Sequence, residues 1–196
     1  MKRMFEMARE RKFTKEELFQ ATKDTLVESG YIGFTFSVLA KRLNAARPTI
    51  YKYYENKDEL ITDYMVDEMN LFLVRLQKIN GYESFEEQFD YLIHVIFEDT
   101  KIHEIIRLAI QMPKEGTEKV TANRIQLEKL HQDMYMYLQK FVQTGKAEGY
   151  LRATIPDGLV LGFIFQTVEI PNHLKIPHSD WVASIKEIIR HGMFNK

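Results

Sequence analysis

Eight residues, RPTIYKYY at positions 47–54, hold an arginine, a lysine, a threonine, a proline and three tyrosines. That set suits contact with a nucleic acid better than catalysis. Arg47 can fork onto a guanine edge or a phosphate. Thr49 offers a methyl and a hydroxyl to a base, and Pro48 an apolar face to a thymine methyl. Lys52, Tyr51 and Tyr53 suit phosphate oxygens, as does Lys57 at the start of the next segment. Ile50 is expected to face inward, onto Leu39 and Leu43.

Three short helices are expected to carry these side chains, over 15–29, 36–43 and 46–54. The first opens on FTKEEL, with Thr14 as N-cap, Glu17 at the third helical position and Phe13 placed to staple onto Leu18. Its inward face is Leu18, Thr22 and Leu26, and Gly30 suits a left-handed residue at its end. Thr35 caps the second helix, and Asn44 tolerates the turn that follows. Pro48 falls in the first turn of the third, where a missing N–H costs little. Two helices joined by a turn of about four residues are a helix-turn-helix, whose second member enters a major groove. Charge agrees. Residues 1–60 carry twelve Lys and Arg against nine Asp and Glu, about +3, within a chain of net charge −1. A basic head on an acidic body favours an anionic partner.

The stretch GFTFSVLAKRLNAARPTIYKYYENKDEL resembles the DNA-binding region of the TetR family of bacterial transcriptional regulators. Thr35, Leu39-Ala40, Thr49-Ile50-Tyr51, Tyr53-Tyr54, Lys57 and Leu60 carry the likeness, which extends over residues 14–60. Asn44 stands for the family's usual turn glycine, and Ala46 for the usual serine opening the recognition helix. The resemblance implies a DNA-binding domain over 1–60 and a ligand-binding and dimerisation domain over 61–196. The basic arm KRMFEMARERK is a candidate for further minor-groove or phosphate contacts.

The remainder also reads as helix, so the chain is expected to be all-α with about nine helices. Asn56 and Glu59 cap a long helix to about Asn80, with Ile61, Met65, Met69, Phe72, Leu76 and Ile79 on one stripe. Ser84 and Glu87 open another, bearing Phe85, Phe89, Leu92 and Ile96. A short helix is expected over 102–110. A long one follows from Glu118 to Lys146, with Val120, Leu127, Leu130, Met134, Leu138 and Phe141 inward. Asp157–Leu174 is apolar nearly all round, with Leu159, Phe163 and Ile170 opposite Leu161, Ile164 and Val168. Such a helix needs neighbours on both sides, which points to a homodimer through 157–174 and a last helix over 180–194. That last helix carries Trp181, Ile185, Ile188 and Ile189.

Polar residues on apolar stripes are candidates for orienting a ligand. Asn123 and His131 lie on or beside the stripe containing Leu127, and Gln166 on that of Phe163. With Met65, Met69 and Phe72 they outline a site for a small apolar or amphipathic effector. No cofactor and no metal is expected. The spacings His94–Glu98 and Asp99–His103 would allow chelation, but His94 falls on the polar side of its helix. No nucleophile–base pair or phosphate loop favours an enzyme, and the 196 residues include no cysteine. The N-terminus has no signal-like apolar core, and no run reaches a membrane span, so a cytoplasmic location is expected. The expected function is a ligand-responsive repressor of a palindromic operator. An activator, or a ligand-binding protein that has lost operator binding, are the alternatives.

Overall fold

The computed structural model describes residues 13–98 and 111–195. The helix expected over 102–110, the pair Asp99–His103 and the arm at 2–12 lie outside them. The described residues include eight α-helices: α1 Lys15–Gly33, α2 Phe36–Arg42, α3 Arg47–Ile50, α4 Lys57–Gln77, α5 Phe85–Glu98, α6 Glu118–Ala147, α7 Asp157–Gln166 and α8 His178–Met193.

Local signals explain most boundaries. Thr14 Oγ1 accepts from the Glu17 N–H at 3.1 Å, and Glu17 Oε2 accepts from the Thr14 N–H at 2.7 Å, closing both ends of a capping box. Gly30 takes φ +64°, so α1 changes direction there before its last residues reach Phe34. Asn44, at φ +47°, turns the chain between α2 and α3. Ser84 and Glu87 exchange the same reciprocal pair of bonds at the start of α5. Asn56 caps α4 by accepting from the Glu59 N–H at 3.0 Å.

Two helices depart from expectation. The helix read over Asp157–Leu174 stops at Gln166, followed by a single 3-10 turn over Thr167–Glu169. Pro171 accounts for this, because it has no N–H and disfavours helical backbone at the residue before it; Ile170 is extended, at φ −68° and ψ 118°. The recognition helix, expected over 46–54, is regular only over Arg47–Ile50. Helical bonding continues less regularly, with the Tyr54 N–H reaching the Ile50 carbonyl at 3.2 Å.

The buried side chains fall into two clusters. Phe34, Leu39, Ile50, Leu60 and Tyr64 centre the head core, which joins α1–α3 to the first half of α4. Leu76, Phe89, Leu92, Leu138, Val142, Ile164 and Ile189 centre the body core. At the far end of the body, the Phe85 ring stacks between Phe141 at 4.7 Å and Tyr150 at 5.2 Å. Gly145 leaves room for that ring, since a Cβ built there would overlap Phe85. Among the described residues no helix is long and apolar enough to cross a membrane.

Candidate nucleic-acid interface and body cavity

Ile50 holds α3 on the head. It is fully buried in the core that contains Leu39, with Leu43 packed against its edge. Burying one such side chain contributes about 1.5–3 kcal/mol, which matters for a helix with so few backbone bonds of its own. The opposite side of α3 then faces outward: Arg47, Pro48, Tyr51, Lys52 and Tyr53 are exposed and Thr49 is partly so. Six sequence-derived candidates therefore share one outer surface.

Each has a definite setting. Arg47 Nη2 donates to the Tyr51 hydroxyl at 2.7 Å, and its guanidinium lies 5.2 Å from the Tyr51 ring centroid. Tyr51 meets the buried Phe36 ring edge-on at 4.9 Å, and Tyr53 meets Phe13 at 6.1 Å. Thr35 spends its side-chain oxygen on capping α2, accepting from the Val38 N–H at 3.2 Å. Lys57 sits differently from the open phosphate contact expected of it. Its ammonium donates to the Tyr31 carbonyl at 2.7 Å and lies 3.9 Å over the Tyr31 ring, because Tyr31 packs against the start of α4. The Tyr31 hydroxyl donates to Asp58 at 2.8 Å. Burial, reinforced by that carboxylate, pushes its pKa up to about 12. Tyr54, donating to Asp63 at 2.6 Å, is raised further for the same reasons.

α4 and α6 run together from the head into the body. Near the head they are joined by polar bonds. Glu59, 4% exposed, accepts from the Thr117 hydroxyl at 2.7 Å and from the Glu55 N–H at 2.9 Å. Asn123 donates to Thr62 at 3.0 Å. Asn123, a ligand-site candidate from sequence, thus lies in this seam and not among the residues lining the body cavity. Glu59 was read from sequence only as the capping partner of Asn56, and Thr117 was not singled out.

Deeper in the body, α4, α6 and the end of α7 enclose a cavity of about 310 Å³. Met65, Met69 and Phe72 line it from α4, Leu127 and His131 from α6, and Gln166 from α7. Those six of the seven candidates come together. Tyr64, Glu68, Arg75, Met134, Tyr135, Phe165 and Glu169 complete the wall. The spacing 64–68–72–75 follows one helical stripe and could have been read from sequence. His131 Nδ1 lies 2.9 Å from the Leu127 carbonyl. A carbonyl only accepts, so that nitrogen carries hydrogen, and Nε2 is the acceptor in the neutral ring. Among the described residues no group of three or more His, Cys, Asp or Glu side chains gathers to hold a metal; His94 is exposed on α5.

A short, cationic, outward helix seated by one buried isoleucine on a helix-turn-helix defines a DNA-binding regulator. Residues 18–64 match the family of bacterial regulatory proteins, tetR family. An uncharacterised HTH-type transcriptional regulator of Haemophilus influenzae is 33% identical over 75 residues, 38% of this chain and 40% of that protein. The matched region thus spans less than half of that relative. The uncharacterised HTH-type transcriptional regulator YhgD of Bacillus subtilis is 25% identical over 150 residues, 73% of this chain and 74% of that protein. In fold, the chain is similar to a transcriptional regulator from Saccharomonospora viridis in complex with choline, with TM-score 0.74, 12% identity and coverage of 93% and 98%. It is also similar to FadR from Bacillus subtilis in complex with stearoyl-CoA, with TM-score 0.68, 18% identity and coverage of 91% and 99%. Residues 18–64 are thus a tetR-family DNA-binding region, and the likeness of the remainder is one of fold.

Proposed function

We propose that the chain is a homodimeric repressor that leaves a near-palindromic operator when a small apolar or amphipathic molecule fills the body cavity. The observation that carries this reading is the course of α4. Its first turn packs into the head core through Leu60 and Ile61, and its second half lines the cavity through Met69 and Phe72. One continuous helix therefore touches both sites. An occupant that prefers one setting of α4 shifts the head by its difference in affinity for the two settings. A coupling of about 1–3 kcal/mol is typical of such linkage.

Dimerisation is supported by the side of the body that α7 leaves uncovered. Leu161 and Ile164 are buried, whereas Leu159 is 59% exposed, Phe163 42% and Leu174 84%, with Ile188 of α8 also open. Pairing α7 and α8 with their copies covers these side chains across a two-fold axis, and sets two α3 helices against successive major grooves. Met65, Met69, Phe72, Leu127, His131 and Gln166 are the proposed effector contacts. Arg47, Pro48, Thr49, Tyr51, Lys52 and Tyr53 are the proposed DNA contacts, with Thr35 holding the start of α2 beside them and Lys57 fixing the root of α4. Similar folds carry choline or stearoyl-CoA, which supports a small-molecule occupant without choosing between those chemistries. Acting on bacterial DNA, the protein works in the cytoplasm.

The test is selection of bound duplexes from a random pool at moderate salt, followed by transcription from a promoter carrying the recovered site. A two-fold-symmetric site, and less transcript when protein is added, support the reading. A folded, dimeric protein that enriches no sequence refutes operator binding, and a rise in transcript refutes repression.

A further inference from the structure

We propose that Tyr51 is a positioning residue for Arg47, and that the pair reads one base in each half-site as a preformed unit. The inference rests on the reading that α3 enters a major groove. A chain of contacts on the head supports it. Thr35 caps α2 and so fixes Phe36, the first residue of that helix, which is buried in the head core. The Phe36 ring holds the Tyr51 ring edge-on, with centroids 4.9 Å apart and planes at 74°. Tyr51 then accepts from Arg47 Nη2 at 2.7 Å. The backbone adds a second link, since the Tyr51 N–H bonds the Arg47 carbonyl at 3.4 Å. An otherwise floppy surface arginine is thus oriented before any partner arrives.

The donor count suits base reading. A guanidinium has five N–H donors in a planar fork. One on Nη2 goes to Tyr51. Both on Nη1 and the second on Nη2 remain, which is enough for an end-on bidentate bond to guanine O6 and N7. Tyr51, having accepted through oxygen, keeps its own hydrogen for a neighbouring acceptor. Two functions are often assigned to residues of these types: tyrosine as a phosphate contact, arginine as a free reader. The observed pairing makes the tyrosine hydroxyl part of the reading instead, because an arginine released from it gains rotamers and alternative phosphate partners.

The experiment compares the unaltered protein with Tyr51→Phe, Arg47→Ala and the double variant. Each is titrated with the site selected by the unaltered protein and with single base-pair changes across one half-site. The unaltered protein should lose about 5- to 150-fold in affinity when the guanine read by Arg47 is replaced. In Tyr51→Phe that penalty should shrink at least threefold while penalties at other positions hold. Arg47→Ala should abolish it, and the double variant should match Arg47→Ala. Circular dichroism establishes that each variant is folded, and Tyr51→Phe keeps the ring on Phe36. An equal loss on every sequence in Tyr51→Phe would make Tyr51 a phosphate contact and overturn the pairing. Unchanged discrimination would overturn it too. If the unaltered protein selects no site, the reading of the head as a DNA binder fails along with the pairing.

Discussion

Replacing Thr117 by valine tests the seam between head and body. The side chain keeps its shape, so no cavity opens, but two bonds go. Thr117 Oγ1 donates to Glu59 at 2.7 Å and accepts from the Val120 N–H at 3.4 Å as the N-cap of α6. A hydrogen bond to a charged group contributes about 1.5–3 kcal/mol net, and an N-cap about 1 kcal/mol. The cap bond here is long and the two share one oxygen, so their sum is an upper limit, and about 2–3 kcal/mol is expected. For a chain of this length each kcal/mol moves Tm by about 2–4 °C, which gives a fall of about 4–12 °C. Thermal and urea unfolding followed by circular dichroism measure it. Thr117→Ser keeps the hydroxyl and should lose less than about 1 kcal/mol. Combining Thr117→Val with Glu59→Gln should give a coupling of about 1 kcal/mol or more, because the two side chains touch. A valine variant within about 0.5 kcal/mol of the unaltered protein would refute the argument, as would a serine variant equally impaired.

Gly145→Ala should destabilise, although alanine is the better helix former by about 1 kcal/mol. Its methyl meets a Phe85 ring already stacked against Phe141 and Tyr150, and overpacking of that kind costs about 1–3 kcal/mol, so a net loss of up to about 2 kcal/mol should appear in the urea midpoint. Gly192, in α8 with open space around its Cβ position, is the control, and its alanine variant should not lose stability. Raising pH through about 10 to 12 should weaken the head. Tyr31 is raised to about 12 in the folded chain, so its contribution is complete below the ordinary value near 10 and disappears as pH rises to about 12, where folded tyrosine also ionises. Solvent reaching the hydroxyl reduces the loss to about 1–2 kcal/mol, and Tyr31→Phe should flatten that limb of a pH–stability curve. Finally, Leu159→Glu with Phe163→Glu should raise the dimer dissociation constant by about 30-fold or more in sedimentation, with helix content unchanged, because both side chains are exposed in the single chain.

The fold was legible wherever a polar cap met a periodic stripe. Thr14 with Glu17, Ser84 with Glu87 and Asn56 ahead of α4 each mark a helix start, and each makes the expected bond. Such signals are local, confined to four residues, and a single sequence displays them. The overlong reading of α7 came from following hydrophobicity through Val168 and Ile170 while Pro171 stood just beyond; the proline decides the backbone, the side chains do not. The place of Asn123 in the seam was not legible, for another reason. Its partner Thr62 is 61 positions away, and a bond across such a separation leaves no local trace. The cavity wall was legible in its apolar half, through Met65, Met69 and Phe72. Glu68, Arg75 and Glu169 were passed over because charge on a helix ordinarily marks solvent.

The two buried clusters have no residue in common. Between them run α4 and the polar seam at Glu59, Thr62, Thr117 and Asn123. Such an arrangement predicts two cooperative units with separate melting behaviour. The head, built from short helices around a smaller core, is expected to open first. Operator DNA binds only the closed head and therefore raises its melting point by mass action, about 2.7 kcal/mol at a hundred times Kd, while leaving the body's transition where it was. Calorimetry of the complex would then separate two heat absorptions that overlap in the free protein. An effector that merely loosened the seam would lower the first of them. Under the proposed function, release from DNA would then proceed by softening the head as well as by turning it.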